Sequence, residues 1–152
     1  MRRLLVPRSI RDAMVARARA SAPEETCGIL AGTLADGQRR VEAHHSVENV
    51  ADRPRSRYEF DPREQLERLE AVEAAGHEVV GFYHSHPRGP AEPSATDAAL
   101  ATWPDRSYVV VSLGDDDEHA LAGETPEGAS VTAWRWTGRA FEREALGVVD
   151  SA

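Results

Sequence analysis

His84, His86, Ser94 and Asp97 fall within one 14-residue segment, His84-Ser85-His86-Pro87-Arg88-Gly89-Pro90-Ala91-Glu92-Pro93-Ser94-Ala95-Thr96-Asp97. On a strand, side chains two positions apart point the same way, so the two imidazoles share a face and lie close enough to share one ion. Pro87 stops the strand there, which leaves the pair at an end that solvent reaches. The loop that follows is stiffened by Pro90 and Pro93. A helix beginning at Ser94 brings Asp97 back as a third ligand. Two histidines and one carboxylate make an open zinc site whose fourth tetrahedral place is left to water. Bound zinc lowers the pKa of that water toward roughly 7. Hydrolysis also needs a base beside the water and a donor for the oxyanion. Glu25, just before the apolar run Cys27–Gly32, is the candidate base, and Ser94 is the candidate donor.

Each piece has an ordinary alternative. His-x-His occurs in strands that bind no metal. Ser94-x-x-Asp97 is also the pattern of a helix capping box. Glu25 follows Pro23-Glu24 and also fits a solvated acid at a helix end. Ser94 can cap while Asp97 faces a metal, so two of these readings are compatible. The joint occurrence of the whole pattern favours a metal site.

The elements that must position these groups are readable from periodicity. Residues 8–21 form an amphipathic helix, with Ile10, Met14, Val15 and Ala18 at helical spacing, closed by Pro23. Cys27–Gly32 reads as a buried strand, and a second strand lies near Arg40–Val47 after the turn at Ala35-Asp36-Gly37. Residues 48–57 are polar, without periodicity, and read as a loop. Tyr58–Phe60 looks like a short strand. Asp61-Pro62-Arg63-Glu64 announces a helix, with Asp61 as cap and Glu64 as capping-box acid. Leu66, Leu69, Val72 and Ala75 form its apolar face. His77–His86 is the central strand, Ser94 to about Thr102 a short helix, and Tyr108–Leu113 a third strong strand. After an acidic turn at Gly114–Asp117, weaker strands near His119–Ala122 and Val131–Trp136 complete the sheet. The expected class is α/β (α+β), a mixed sheet with helices beside it. Residues 1–145 are expected to form one domain, and 146–152 a short C-terminal tail.

Composition narrows the function. The chain has 152 residues, enough for one domain with a real core. Its net charge of −8 argues against nucleic-acid binding. No apolar run is long enough to span a bilayer, and the short apolar stretch after Arg2-Arg3 is no signal peptide. A cytoplasmic, membrane-free protein is the expectation. Cys27 is the single cysteine, so a disulfide within the chain and a cysteine-rich zinc finger are excluded. Cys27 itself fits a small buried hydrophobe better than a reactive thiol. All 18 basic residues are arginine. GC-rich coding, adaptation to high salt, and avoidance of self-modification by an enzyme working among lysine-linked conjugates each account for this, in that order of preference.

The motif resembles that of the JAMM (MPN+) metalloproteases: an upstream Glu, His-Ser/Thr-His-Pro, six residues, then Ser-x-x-Asp. By that resemblance His84, His86 and Asp97 are ligands of one zinc ion per chain, Ser94 supports the tetrahedral intermediate, and Glu25 is the general acid/base. Pro23-Glu24-Glu25-Thr26-Cys27-Gly28-Ile29-Leu30 resembles the family's first strand with its catalytic Glu, and Glu25 matches that position better than Glu24. The likeness runs from about Met14 to Leu113, and loosely to the end. It implies a single MPN/JAMM domain with a cytidine-deaminase-like mixed β-sheet flanked by helices. Among members, the short prokaryotic ones are most similar: archaeal desampylases and actinobacterial peptidases that trim sulfur-carrier proteins. The acidic, lysine-free composition inclines the reading to the archaeal, salt-adapted kind.

The resemblance implies an isopeptidase that hydrolyses the amide bond after the C-terminal Gly-Gly of ubiquitin-like (β-grasp) modifiers, on lysine conjugates and linear fusions. Such a tail is thin and extended and can add a strand to a sheet edge. The 48–57 loop is a plausible groove wall, where Arg53, Arg55 and Arg57 either meet acids on the modifier or are simply solvated. No Cys/His cluster follows Asp97, which points to broad rather than linkage-selective cleavage. The alternatives are a peptidase trimming an amino acid from a sulfur carrier, which would share every catalytic residue, and a non-catalytic MPN scaffold. A non-haem iron oxygenase also uses two histidines and a carboxylate, but usually as His-x-Asp/Glu with a distant His. A zinc deaminase requires a cysteine pair, absent here.

Overall fold

A computed structural model describes residues 3–35, 37–114 and 128–150. In chain order they form β1 (Arg3–Pro7), α1 (Arg8–Ser21), β2 (Cys27–Leu34), β3 (Gln38–Val47), α2 (Pro62–Ala74), β4 (Glu78–His86), α3 (Ala95–Leu100), β5 (Ser107–Ser112), β6 (Ser130–Trp136) and β7 (Phe141–Val149). The strands lie in the order β1-β3-β2-β4-β5-β6-β7 and close on themselves as a barrel. β1 runs parallel to both β3 and β7, and β4 parallel to β5, while the remaining pairs are antiparallel. The molecule is thus a mixed α/β domain, as the patterning predicts. Among the described residues each strand has two neighbours, so the sheet they form offers no whole edge strand for a tail to extend.

Strand alternation divides the interior into two cores. Leu30, Val41, Val80, Tyr83, Val109 and Val111 face α1, whose Ile10, Met14, Val15 and Ala18 are all buried against them. Ile29, Ala31, Val47, Phe82 and Tyr108 face the other way, onto Val72 of α2. Each fully buried aliphatic side chain contributes about 1.5–3 kcal/mol. β4 is buried from Val80 to His86, so both histidines stand on the central strand rather than on a mobile connection.

Several elements differ from the sequence reading. β1 and β7 are strands that patterning does not reveal. β7 crosses position 145, and pairs with β1 as far as Val149. Tyr58–Phe60 is no strand; only Phe60 makes an isolated bridge, to Asn49. Asp61 caps α2 as expected, accepting from Arg63 N–H, but Glu64 accepts the Glu48 N–H at 3.0 Å instead of closing a capping box. On α2, Val72 is buried and Leu69 half-buried, whereas Leu66 is 60% exposed and Ala75 is exposed. α2 packs on β3 and β4 through Val72 and Leu69, and Leu66 stays outside that contact. The expected strand near His119–Ala122, and the turn residues Asp36 and Asp115–Asp117, lie outside the described residues.

Candidate metal centre

Glu25, Cys27 and Ile29 alternate with Thr26 and Gly28, and β2 pairs Cys27 with His84 and Ile29 with Phe82. This register sets Glu25 on the same face as His84, His86 and the α2 side of the sheet. α3 begins beside the end of β4. Its N-cap, Ser94, accepts the Asp97 N–H through Oγ at 3.1 Å, and Asp97 Oδ2 accepts the Ser94 N–H at 2.8 Å. The capping box is therefore real, and it orients Asp97 toward the histidines. His84 Nε2 and His86 Nε2 each lie 3.0 Å from Asp97 Oδ2 and 3.2 Å from one another. Side-chain atoms of Glu25, His84, His86 and Asp97 all fall within 4.8 Å of each other, and all four residues are buried. Glu25 is 6% exposed whereas Glu24 is exposed, so only Glu25 reaches this cluster. Ser94 is exposed beside it.

The donor set fits a cation. His86 Nδ1 lies 3.0 Å from the Pro90 carbonyl oxygen, which only accepts, so Nδ1 carries the proton. In the neutral ring Nε2 then presents a lone pair toward a carboxylate oxygen. At that distance the two atoms are held by a shared proton or by a cation that both ligate. A tetrahedral zinc with bonds of about 2.0–2.1 Å has ligand–ligand edges of about 3.3 Å, close to the spacing here. Buried Glu25 Oε1 points the same way, with no hydrogen-bond partner among the described residues; His84 Nδ1, on the far side of its ring from the cluster, has none either. The His84 ring is held instead by stacking on Tyr58, with centroids 4.5 Å apart.

The electrostatics follow from this crowding. Burial raises Glu25 to about 7, with the Asp97 charge adding and His86 opposing. For Asp97 burial pushes upward, but hydrogen bonds from both histidines hold the carboxyl well below the ordinary range. Burial lowers His84 and outweighs Asp97. For His86, burial is overcome by Asp97 and the Pro90 carbonyl, and the pKa rises.

Three positioning contacts escaped the sequence reading. Ser85 fastens β4 to Thr26, next to Glu25. Asn49 and Pro54 hold the Glu25 backbone from the 48–57 loop. Tyr58 covers His84. The signals were weak: a polar stretch without periodicity, and one aromatic beyond it. Arg53 and Arg55 are exposed, and Arg57 lies 3.8 Å from Asp52. Beside the centre, past Tyr58, opens a cavity of about 250 Å³ lined by Phe60, Phe82, Leu100, Trp103 and Tyr108.

Comparison with known proteins places the chain in a family. Residues 7–137 match the model described as prokaryotic homologs of the JAB domain. The desampylase of Haloferax volcanii is 41% identical over 150 residues, covering 96% of each chain. The CysO-cysteine peptidase of Mycobacterium tuberculosis is 43% identical over 118 residues, 78% of this chain and 79% of that protein. A solution structure of a protein from Desulfitobacterium hafniense superimposes with a TM-score of 0.81 at 29% identity, covering 97% of this chain and 94% of that one. On its sequence, its fold and its relatives, the chain belongs to the prokaryotic JAB (JAMM/MPN) domain family.

Proposed function

We propose that this chain is a zinc-dependent isopeptidase that hydrolyses the amide bond after the C-terminal Gly-Gly of ubiquitin-like modifiers, releasing them from lysine side chains and linear fusions. The observation that carries the reading is the convergence of His84 Nε2, His86 Nε2 and Asp97 Oδ2 within 3.0–3.2 Å, with the buried Glu25 carboxyl beside them. His84, His86 and Asp97 would hold one zinc ion. When bound, zinc acts as a Lewis acid and lowers the pKa of water toward roughly 7. Glu25, buried beside the cluster, is placed to take the proton of the attacking water and return it to the leaving amine. The Ser94 oxygen already accepts the Asp97 N–H, so its own hydroxyl proton is free to donate to the developing oxyanion. The aromatic cavity beside the centre supplies apolar walls for residues upstream of the scissile bond.

The Haloferax desampylase, similar over nearly its whole length, supports release from conjugates. The acidic, lysine-free composition agrees with a salt-adapted archaeal protein working in the cytoplasm; no helix among the described residues is long and apolar enough to cross a membrane. The mycobacterial CysO-cysteine peptidase supports a second reading, removal of one amino acid from a sulfur-carrier tail. Cleavage of a lysine-linked ubiquitin-like conjugate beside a linear fusion, with wild type and Glu25→Ala, each with and without chelator, decides between them. Conjugate cleavage by wild type alone, lost with chelator, is the expected result. Cleavage of the linear fusion only establishes the carrier peptidase, and cleavage of neither by the zinc-loaded protein leaves a scaffold.

A further inference from the structure

Glu25 precedes β2, so strand pairing does not hold its peptide groups. The loop between β3 and α2 holds them instead. Glu25 N–H donates to the Pro54 carbonyl at 2.7 Å, and Asn49 Nδ2 donates to the Glu25 carbonyl at 3.0 Å. Asn49 is the hub of that loop. Its Nδ2 also donates to the Arg57 carbonyl at 3.1 Å, while its Oδ1 accepts Ala51 N–H at 3.0 Å and Glu59 N–H at 2.9 Å. The amide faces two carbonyls with its nitrogen and two N–H groups with its oxygen, so only one orientation satisfies all four. Both donor hydrogens and both acceptor sites are thereby committed. Three of these bonds close the loop itself. One of its four bonds ends on the backbone of the residue whose carboxyl enters the metal cluster.

We infer that Asn49 is a positioning residue for the hydrolytic reaction: it sets the Glu25 main chain, and through it the Glu25 carboxylate, against His84, His86 and Asp97. The inference rests on the reading of Glu25 as the proton-transferring group. Without the Nδ2 donation, the Glu25 carbonyl loses its partner on the loop and the carboxylate samples positions unsuited to proton transfer. Effective geometry in such transfers is sensitive to displacements of about 1 Å, which cost on the order of 100-fold in rate.

The experiment is a double-mutant cycle on the zinc-loaded protein, combining Asn49→Asp and Asn49→Ala with Glu25→Gln. Asn49→Asp keeps the Oδ1 acceptor that closes the loop and loses only the Nδ2 donations; Asn49→Ala adds no charge. Zinc content, thermal melting, KM, and single-turnover rates with enzyme in excess are measured on a ubiquitin-like conjugate. The expected result is unchanged zinc content and KM, with kcat lowered about 10–100-fold in both Asn49 variants. In the Glu25→Gln background the same substitutions then change the rate by less than about twofold, because the group they position is already gone. Equal losses in both backgrounds, wild-type kcat in either Asn49 variant, or loss of zinc or of a cooperative melt in both overturns the assignment. Wild-type activity in Glu25→Gln alone instead overturns the reading of Glu25, and is seen without any Asn49 substitution.

Discussion

Ser85, the residue between the two histidines, accepts the backbone N–H of Thr26 at 2.8 Å and the Thr26 hydroxyl at 3.0 Å through its own buried Oγ. Ser85 N–H in turn donates to the Thr26 carbonyl at 3.0 Å. The strand carrying the candidate ligands is thus pinned to the residue next to the candidate base. Ser85→Ala leaves a buried N–H without its partner, which costs about 1–3 kcal/mol. A lower melting temperature is expected, with kcat falling more than KM changes. An unaltered melt and kcat would show that the contact does not matter.

Metal removal is expected to destabilise the protein as well as silence it. His84 Nε2, His86 Nε2 and Asp97 Oδ2 converge only in the folded chain, so a cation they hold favours that chain over the unfolded one. A metal present at about 1,000 times its Kd adds about 4 kcal/mol to stability. Chelation is expected to lower the melting temperature, and added zinc to restore it. Affinity falls as pH drops through the histidine range, because the ligating nitrogens must be unprotonated. Calorimetric titration of the metal-free protein with zinc at pH 5 and pH 8 checks both statements. In Asp97→Ala the zinc-dependent gain in melting temperature is expected to vanish.

Cys27 is fully buried, donates to the Val47 carbonyl, and is pushed up to about 12 by burial, against the lowering pull of Arg17. The native thiol is expected to resist alkylation at pH 8 and to react at the rate at which the fold opens. Its pKa is raised on folding from 9.0, so the unfolded chain releases the proton first as pH rises. The stability this group contributes is complete below pH 9 and is lost as pH climbs toward 12. Alkylation rates with and without denaturant, and a melt series from pH 8 to 11, test this. Rapid labelling of the native protein would contradict it.

Gly81 lies where β4 meets β5, and an added Cβ would strike the Ser107 backbone carbonyl. A backbone group inside the sheet cannot swing aside as a side-chain tip can. Gly81→Ala is expected to cost about 1–3 kcal/mol, and to reduce zinc occupancy by shifting the strand that carries His84. Denaturant unfolding with metal analysis on the same samples measures both. A stable variant with full zinc would show that the two strands part without cost.

What the sequence determined alone is local. Period two places His84 and His86 on one face, Pro87 ends their strand, and Ser94-x-x-Asp97 builds a cap that turns Asp97 inward; each depends on neighbours only a few positions away. The spacing of Ile10, Met14, Val15 and Ala18 likewise writes the buried stripe of α1, and all four are buried. Tertiary structure decided whatever joins distant segments. Patterning has no means to pair Arg3–Pro7 with Ala145–Val149 and close the barrel, because register between remote strands depends on packing around the whole ring. Leu66 is exposed for the same reason: which part of the apolar face of α2 meets β3 and β4 depends on how the helix docks, not on helical period. The contacts that hold the centre rigid belong to this second class. Arg17 reaches the Cys27 carbonyl, Ser85 reaches Thr26, Asn49 reaches Glu25, and Tyr58 stacks on His84. A hydrogen bond between residues ten to sixty positions apart leaves no periodicity in the chain, since folding alone brings its two ends together.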